Sequence, residues 1–397
     1  MNSRYPFHSS NLCLCSQRNP PIRVRPEKRA PQPGSASRVL QLFPEGGSNI
    51  NFLELTQTRL AALCEATQFD ARTALEACET LLGPTGQLRV ESSPQWRSAL
   101  SDDHTPVEFS IALEGGRVEP RLLIESLDDA PTVASSWDAA RATNERLRQR
   151  YGTPLERLAL VEELFRPRRD ASFGMWHAAW LRQGRPPLFK VYLNPAANGV
   201  ESAPALIEEV LGRLGFSRAW SCIEGVVARR PSVDHVIYFS LDLDANPAAR
   251  VKVYVAHPSA TARDIEPLLA LSPGYVAGES ERFCRALTMT EGPFGARPLQ
   301  TCYAFTASDD ARPSSVTLHL PIRSYTAHDR VALERISNYL GGELGASYRQ
   351  IIERVAHRPL EAGSGLQTYA SLCCARNQKR ATVYLAMEAY ATHPPRG

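Results

Sequence analysis

The stretch FKVYLNP, residues 189–195, places Lys190 and Tyr192 two positions apart in an otherwise apolar run. Side chains alternate across a β-strand, so these two share one face and the valine and leucine between and after them share the other. A nearly identical stretch, RVKVYVA, begins at Arg250. The pattern predicts strands with one apolar face and one face that carries cations and tyrosines.

Related strands recur along the chain at nearly even spacing. Successive copies of the lysine position are 69, 62, 65 and 65 residues apart, at Arg121, Lys190, Lys252, Thr317 and Thr382. Self-similarity at a fixed period indicates one supersecondary unit used repeatedly. The sequence therefore predicts five units of related structure between residue 107 and the C-terminus.

Each of these strands follows a turn and an earlier apolar strand. The earlier strands are predicted to begin at Val107, Gly174, His235, Thr301 and Leu366. Segments with helical periodicity separate the hairpins, for example residues 203–214 and 329–340, and one further helix is predicted over residues 52–82. Ten strands in five adjacent hairpins should pair antiparallel.

The two-faced strands decide between two sheet architectures. Helices must cover the apolar face, and closing the sheet puts the polar face inside a barrel. Ten strands exceed the eight that side chains just fill, so such a barrel keeps a cavity. The prediction is an α+β fold: a ten-stranded antiparallel β-barrel surrounded by helices and built from repeated α-β-β-α units. A flat sheet open on one side is the alternative.

Composition narrows the class of protein. The chain has 397 residues, of which 43% are hydrophobic and 22% charged, and a net charge of +3. This balance is typical of a soluble enzyme and gives no reason to expect nucleic acid as a partner. No apolar stretch approaches the roughly 18 residues of a membrane span. A cytoplasmic protein without membrane contact is predicted.

The N-terminal region and the cysteines carry no site in this interpretation. Residues 1–46 are rich in arginine and proline and are predicted to form a disordered leader, followed by a single domain over residues 47–397. The nine cysteines are odd in number and lack a C-x-x-C pair. Neither a zinc site nor a disulfide framework is therefore indicated.

Four cations are predicted to converge inside the barrel: Arg121, Lys190, Arg250 and Lys252. They would repel one another unless an anion lies between them, and a diphosphate is a natural counter-charge. Arginine offers phosphate a planar fork and lysine a point charge. Several such contacts could replace a metal ion, and the chain has no D-D-x-x-D motif; its Asp-Asp pairs, such as Asp102-Asp103, are predicted to be turn residues.

Tyrosines accompany the cations on the same face: Tyr192, Tyr254, Tyr369 and Tyr384. The face of an aromatic ring stabilises a neighbouring cation, and a layer of rings keeps water from a reactive one. The alternative is that tyrosine is simply common in strands. Its recurrence at the same offset from lysine favours a function.

Glu108 and His177 are candidate catalytic residues. A glutamate in a cationic barrel is expected to stay ionised and to accept a hydrogen bond from an N–H donor such as an indole. An ion pair with Arg121 is the alternative. His177 precedes Lys190 by 13 residues, as Glu108 precedes Arg121. It is either a base at the equivalent position or a core histidine.

Four long segments resemble one known family. They are SDDHTPVEFS from Ser101, FKVYLNPAANG from Phe189, RVKVYVAH from Arg250 and VTLHLPIRSY from Val316. These are similar to the bacterial branch of the aromatic prenyltransferases of the dimethylallyltryptophan synthase family. The resemblance covers residues 51–395.

The resemblance implies the repeat barrel known as the ABBA fold and transfer of a prenyl group from dimethylallyl diphosphate to an indole in secondary metabolism. No cofactor is implied, with magnesium at most stimulating. Glu108 matches the glutamate that holds the indole N–H. The four cations match the diphosphate-binding residues and the tyrosines match the shielding residues, Tyr369 among them less closely.

Two positions depart from the fungal members of that family. Thr317 and His319 stand where those enzymes have a lysine or glutamine and a tyrosine, and both are expected to bind diphosphate. His177 stands where they have a lysine proposed as the final base. L-tryptophan is the first candidate acceptor, and a tryptophan-derived dipeptide or indolactam the second. A non-catalytic barrel that binds an anion is the alternative from another class.

Overall fold

A computed structural model describes residues 50–168, 171–375 and 378–390, with residues 378 and 379 by their backbone only. The predicted leader, residues 1–46, and its boundary with the domain lie outside these ranges. Everything below concerns the described residues.

The strands form in five hairpins, as the repeat predicts. Each second strand carries one of the repeated polar positions. The strands are β1 Val107–Glu114, β2 Arg117–Glu125, β3 Met175–Arg182, β4 Arg185–Leu193, β5 His235–Asp242, β6 Val251–His257, β7 Leu299–Phe305, β8 Ser315–Leu320, β9 Gln367–Ala375 and β10 Gln378–Ala386.

These strands close into one barrel. Every strand pairs antiparallel with its sequence neighbours, and β1 pairs with β10 to complete the ring. Closure is direct: Ser110 of β1 lies opposite Tyr384 of β10. The predicted ten-stranded antiparallel barrel is confirmed, and the flat open sheet is wrong.

Helices surround the barrel. Two predicted helices, residues 203–214 and 329–340, are confirmed as α5 and α9. The helices are α1 Phe52–Thr67, α2 Ala71–Leu82, α3 Val133–Tyr151, α4 Glu156–Ala159, α5 Ala203–Arg213, α6 Ser217–Val227, α7 Ala262–Leu269, α8 Glu279–Thr288, α9 Asp329–Leu340 and α10 Gly342–Val355. None of the helices in the described ranges is both long and apolar enough to cross a membrane.

The single helix predicted over residues 52–82 is wrong, because the structure has two helices there. Gln68 ends α1 in the left-handed conformation, and the side chain of Asp70 accepts hydrogen bonds from the backbone N–H groups of Arg72 and Thr73. An aspartate in this position satisfies two of the donors that a helix start leaves open. The apolar periodicity continues across the break, so periodicity alone did not reveal it.

The hydrophobic core lies between the barrel wall and the helices. Alternate strand residues, such as Val191 and Val253, are fully buried there against helix residues such as Ile207 and Ile265. Each such side chain contributes roughly 1.5–3 kcal/mol by leaving water. Because side chains alternate, this outer core turns the polar positions of the strands into the lumen.

Candidate active site

Buried cations line one part of the lumen. Lys190 on β4 lies opposite Asp242 of β5, and Lys252 on β6 lies opposite Ser240. Burial and the charge of Lys252 lower the pKa of Lys190 well below its ordinary value. Burial and the charge of Arg250 lower the pKa of Lys252 to about 8. Lys190, Lys252 and Asp242 thus lie close enough to act on one another's ionisation.

Arg121 joins this group from β2. Its guanidinium lies over the ring of Trp180, 5.2 Å from the ring centroid. Its Nε is buried and has no hydrogen-bond partner among the described residues. Burial and the charge of Arg380 lower the pKa of Arg121 to about 10. A buried donor without a partner is costly, so an anionic ligand would relieve it.

Asp242 is a member of the cluster that the sequence analysis missed. Its carboxylate accepts a 2.7 Å hydrogen bond from the Nε of Arg250. Although burial opposes ionisation, the charges of Arg250 and Lys190 hold the pKa of Asp242 below its ordinary range. Arg250 is thus partly neutralised, which leaves Lys190 and Lys252 as the less compensated cations. The polar–apolar alternation at the end of HVIYFSLDL was the available signal.

Arg380 is a further cation that sequence reasoning missed. It lies on β10 four residues before Tyr384 and therefore on the same inward face. Its guanidinium is 3.5 Å from the Glu114 carboxylate and 3.6 Å from the Cys373 sulfur. The strand was predicted to begin at Ala381, one residue too late to include it.

Aromatic rings form a layer beside the cations. Ring centroids are 5.8 Å apart for Tyr192 and Tyr254, 5.7 Å for His319 and Tyr384, and 6.3 Å for Tyr369 and Tyr384. The hydroxyl groups of Tyr254 and Tyr192 are 3.4 Å apart. The structure thus brings the four predicted tyrosines into one layer with His319.

Tyr238 completes this layer and was missed. Its ring centroid is 5.8 Å from that of Tyr254 and 5.6 Å from that of Trp176. The β5–β6 register shifts between Val236 and Tyr238, and this irregularity breaks the simple alternation along the strand. From Tyr238 to Asp242, polar and apolar residues alternate, and this alternation was the available signal.

Thr317 and His319 both lie on the inward face of β8. Thr317 lies between Cys302 of β7 and Cys373 of β9. Burial and the charge of Lys252 lower the pKa of His319 to about 3. The neutral imidazole keeps one N–H, and its Nε2 has no partner among the described residues. Both residues can offer a hydrogen bond to an anion.

Glu108 lies in another part of the lumen, away from the cation cluster. It is buried, and the Thr368 hydroxyl donates a 3.1 Å hydrogen bond to its Oε1. The strand register sets Glu108 opposite Leu123, whereas Arg121 lies opposite Ser110. The two residues are diagonal neighbours on one face, but among the described residues no ion pair joins Glu108 to Arg121.

The surroundings of Glu108 oppose the expectation that it stays ionised. Burial, reinforced by the charge of Asp102, raises the pKa of Glu108 well above its ordinary value. Arg297, the cation whose charge acts on Glu108, is itself ion-paired with Asp102. A buried carboxyl with a raised pKa is a common feature of functional sites.

The Asp102 carboxylate does more than serve as a turn residue. Besides Arg297, it lies 3.4 Å from the Nη1 of the buried Arg323. The Arg297 guanidinium lies 5.3 Å from the centroid of the Tyr369 ring. The loop before β1 is thereby joined to the wall of the lumen near Glu108.

His177 is not in the lumen, so its prediction as a lumen base is wrong. The side chain lies on the outer face of β3, and its Nε2 is 2.8 Å from the Asn144 Oδ1 on α3. Burial and the charge of Arg146 lower its pKa to about 3. His177 is a neutral core histidine between the barrel and a helix.

A register shift explains this error. The first hairpin keeps one register throughout, so Glu108 and Arg121 share the inward face. In the second hairpin the register shifts by one residue close to the turn, and His177 pairs with Val191 instead of Lys190. A one-residue slip turns a side chain to the other face of the sheet. Equal spacing of 13 residues therefore gives opposite orientations.

One cavity connects the two parts of the site. It is lined by Glu108 and also by Arg121, Lys190, Tyr192 and Tyr384. Cations that can hold an anion, rings that can shelter a carbocation and a carboxyl that can accept an N–H bond thus line the same cavity. Such a site suits transfer of an allylic group from a diphosphate to an aromatic ring, which defines a prenyltransferase barrel.

Comparison with known proteins agrees with this class. The family model of tryptophan dimethylallyltransferase matches residues 77–346. This span is more than half of the chain, and the chain belongs to the tryptophan dimethylallyltransferase family.

Solved structures of bacterial enzymes are similar over nearly the whole described chain. A 6-dimethylallyl tryptophan synthase is 34% identical, with a TM-score of 0.82 over 88% of this chain and 100% of that one. The 6-dimethylallyltryptophan synthase of Micromonospora olivasterospora, solved with DMASPP and Trp, is 34% identical, with a TM-score of 0.79 over 87% and 100%. The 5-dimethylallyltryptophan synthase of Streptomyces coelicolor is 31% identical, with a TM-score of 0.79 over 87% and 100%.

A fungal structure shares the fold alone. AnaPT from Neosartorya fischeri is 16% identical, with a TM-score of 0.70 over 87% of this chain and 95% of that one. The barrel is therefore shared well beyond the bacterial enzymes.

Proposed function

We propose that this protein transfers the dimethylallyl group of dimethylallyl diphosphate to the indole ring of L-tryptophan. The observation that carries the proposal is the single cavity that Glu108, Arg121 and Lys190 line together. The family match and the two bacterial relatives solved with DMASPP and Trp support this pair of substrates.

The diphosphate is proposed to bind among five cations of the lumen: Arg121, Lys190, Arg250, Lys252 and Arg380. Asp242 and Glu114 offset two of these charges. The remaining excess is comparable to the charge of a diphosphate. When the allylic C–O bond breaks, both electrons leave with the diphosphate, and fixed cations stabilise that developing charge.

The aromatic layer is proposed to hold the dimethylallyl cation. The faces of Tyr192, Tyr254 and Tyr384 offer negative charge density to a carbocation. A layer of rings also limits the access of water, which would otherwise capture the cation as an alcohol. The layer borders both the cations and Glu108, so the carbocation forms beside its acceptor.

Glu108 is proposed to position the acceptor. Its carboxylate accepts a hydrogen bond from the indole N–H, which strengthens as the ring becomes cationic. The ring carbon then attacks the allyl cation, a C–C bond forms, and loss of the ring proton restores aromaticity. Orientation of the ring selects the carbon that reacts. His177 is too far outside the lumen to take the proton.

Metal-independent transfer is part of the proposal, with magnesium at most stimulating. Its support is the presence of five cations where a metal would otherwise stabilise the leaving group. A cytoplasmic location stays a prediction.

The acceptor is tested by product analysis. We expect purified protein with dimethylallyl diphosphate to prenylate L-tryptophan faster than a tryptophan-containing cyclic dipeptide or an indolactam, because bacterial relatives are solved with DMASPP and Trp. NMR of the product locates the new carbon. If the larger acceptors react faster, tryptophan is not the preferred acceptor. Diphosphate binding without any prenylated indole would favour a non-catalytic anion-binding barrel.

A further inference from the structure

Cys373 is a nucleophile in the lumen that the proposed reaction does not use. It lies on β9, where its neighbours Leu372 and Cys374 face the outer core, so its own side chain faces inward. Across the strand pair it lies opposite Arg380, with 3.6 Å between the Arg380 Nη2 and the sulfur.

Donors and cations surround this sulfur among the described residues. From β8, Thr317 lies directly opposite Cys373 and Ser315 lies opposite Ala375, so both hydroxyl groups are near the sulfur. Lys252 of β6 and Arg380 of β10 supply positive charge. Although burial opposes ionisation, these groups lower the pKa of the Cys373 thiol. Beyond Thr317, the next strand, β7, carries Cys302.

Cys302 is a matched comparison within the same lumen. It flanks Thr317 on the side opposite to Cys373 and is equally buried. Burial outweighs the charge of Lys252 there, and the pKa of the Cys302 thiol is raised. The two thiols differ chiefly in the guanidinium that lies opposite Cys373. Reactivity of a cysteine follows its thiolate fraction, which nearby arginine and lysine increase.

We propose that Cys373 is a modification site for small thiol-reactive electrophiles and that its modification blocks diphosphate binding. The thiol lies beside Arg380 inside the cation cluster. An arriving diphosphate needs the same side of Arg380 and Lys252. A group attached to the sulfur occupies the space that the diphosphate needs.

Methyl methanethiosulfonate is a suitable probe because it is small enough for the lumen. The Cys373 thiolate attacks the thiomethyl sulfur, a new S–S bond forms, and the bond to the sulfonyl group breaks. Methanesulfinate leaves with the electron pair. The product is a neutral methyl disulfide, which dithiothreitol reverses.

The experiment follows labelling of each cysteine in the full chain by peptide mass spectrometry at pH 7. We expect Cys373 to react about tenfold faster than Cys302 or Cys374, as expected for an activated thiolate. Inorganic pyrophosphate should slow this labelling, whereas L-tryptophan should not. Arg380→Gln should slow it as well. Equal rates for Cys373 and Cys302 would overturn the proposal.

Pyrophosphate binding by calorimetry supplies the second readout. Labelled wild-type protein should lose this binding and regain it with dithiothreitol, whereas Cys373→Ser should bind pyrophosphate before and after treatment. Retained binding after complete labelling of Cys373 would overturn the block. The loss of pyrophosphate binding after labelling depends on the proposed diphosphate site, but the difference in labelling rate between Cys373 and Cys302 does not. Absence of pyrophosphate binding in untreated protein would therefore identify a failure of the proposed function instead.

Discussion

Glu108→Gln is expected to lower the turnover of L-tryptophan about a hundredfold, within the range measured when one preorganised hydrogen-bonding group is removed from a charge-developing site. Glutamine keeps the shape and an acceptor oxygen but cannot supply the negative charge that strengthens the bond as the indole becomes cationic. Steady-state kinetics measures the loss.

The fold should not suffer from this change. Folding raises the pKa of Glu108. At any pH above the pKa that this residue has in the unfolded chain, ionisation of the carboxyl therefore opposes folding. The neutral glutamine removes that cost. We expect the melting temperature of Glu108→Gln at neutral pH to equal or exceed that of the wild type, and a clear fall would indicate a structural role.

A second acceptor separates positioning from charge balance. With 1-methyltryptophan the N–H donor is gone, so the wild type should lose far more activity than the Glu108→Gln variant. The comparison of both enzymes with both acceptors isolates the interaction between Glu108 and the indole nitrogen. Equal penalties for N-methylation in the two enzymes would remove Glu108 from the indole site.

Lys190→Ala and Lys252→Ala are expected to raise the activation barrier by about 2–4 kcal/mol each, as for other fixed groups that stabilise developing charge. Both lysines face the lumen, and among the described residues neither forms an ion pair like the one that joins Arg250 to Asp242. Single-turnover rates with saturating tryptophan should fall accordingly. Unchanged rates in both variants would contradict a diphosphate site among these cations.

Lys252→Arg is the control for charge. The pKa of Lys252 is lowered to about 8, so the free enzyme loses this positive charge as the pH rises through 8. The affinity of the wild type for pyrophosphate should therefore weaken as the pH rises through 8. Arginine stays charged there, so the variant should keep its affinity for pyrophosphate to higher pH.

The raised pKa of Glu108 sets the acid side of the pH profile of turnover. Turnover should rise with pH there, because the carboxylate that holds the indole N–H forms only as the pH rises.

Strand alternation and the repeat were sufficient to predict the barrel and the inward cations. A period near 65 residues fixes the number of hairpins, and apolar positions such as Val191 and Val253 fix which face meets the helices. The lumen-facing positions of Lys190, Lys252 and Tyr192 follow from that choice alone. These features depend on local pattern, which a sequence displays directly.

Features that depend on strand register or on burial could not be predicted from the alternation of polar and apolar residues. A one-residue shift near the second turn turned His177 outward, and nothing in the local composition marks it. The ionisation of Glu108 depends first on its burial and then on the nearby Asp102 and Arg297, which lie in loops. Arg380 was missed for a simpler reason, because its strand begins earlier than its apolar run.

The most direct test of the central claim is prenyl transfer in the presence of excess EDTA. The claim is that fixed cations of the lumen stabilise the departing diphosphate. With dimethylallyl diphosphate and L-tryptophan, the purified protein should form dimethylallyltryptophan in EDTA at a rate within a few-fold of that with magnesium. Activity that vanishes in EDTA and returns only with magnesium would contradict the account.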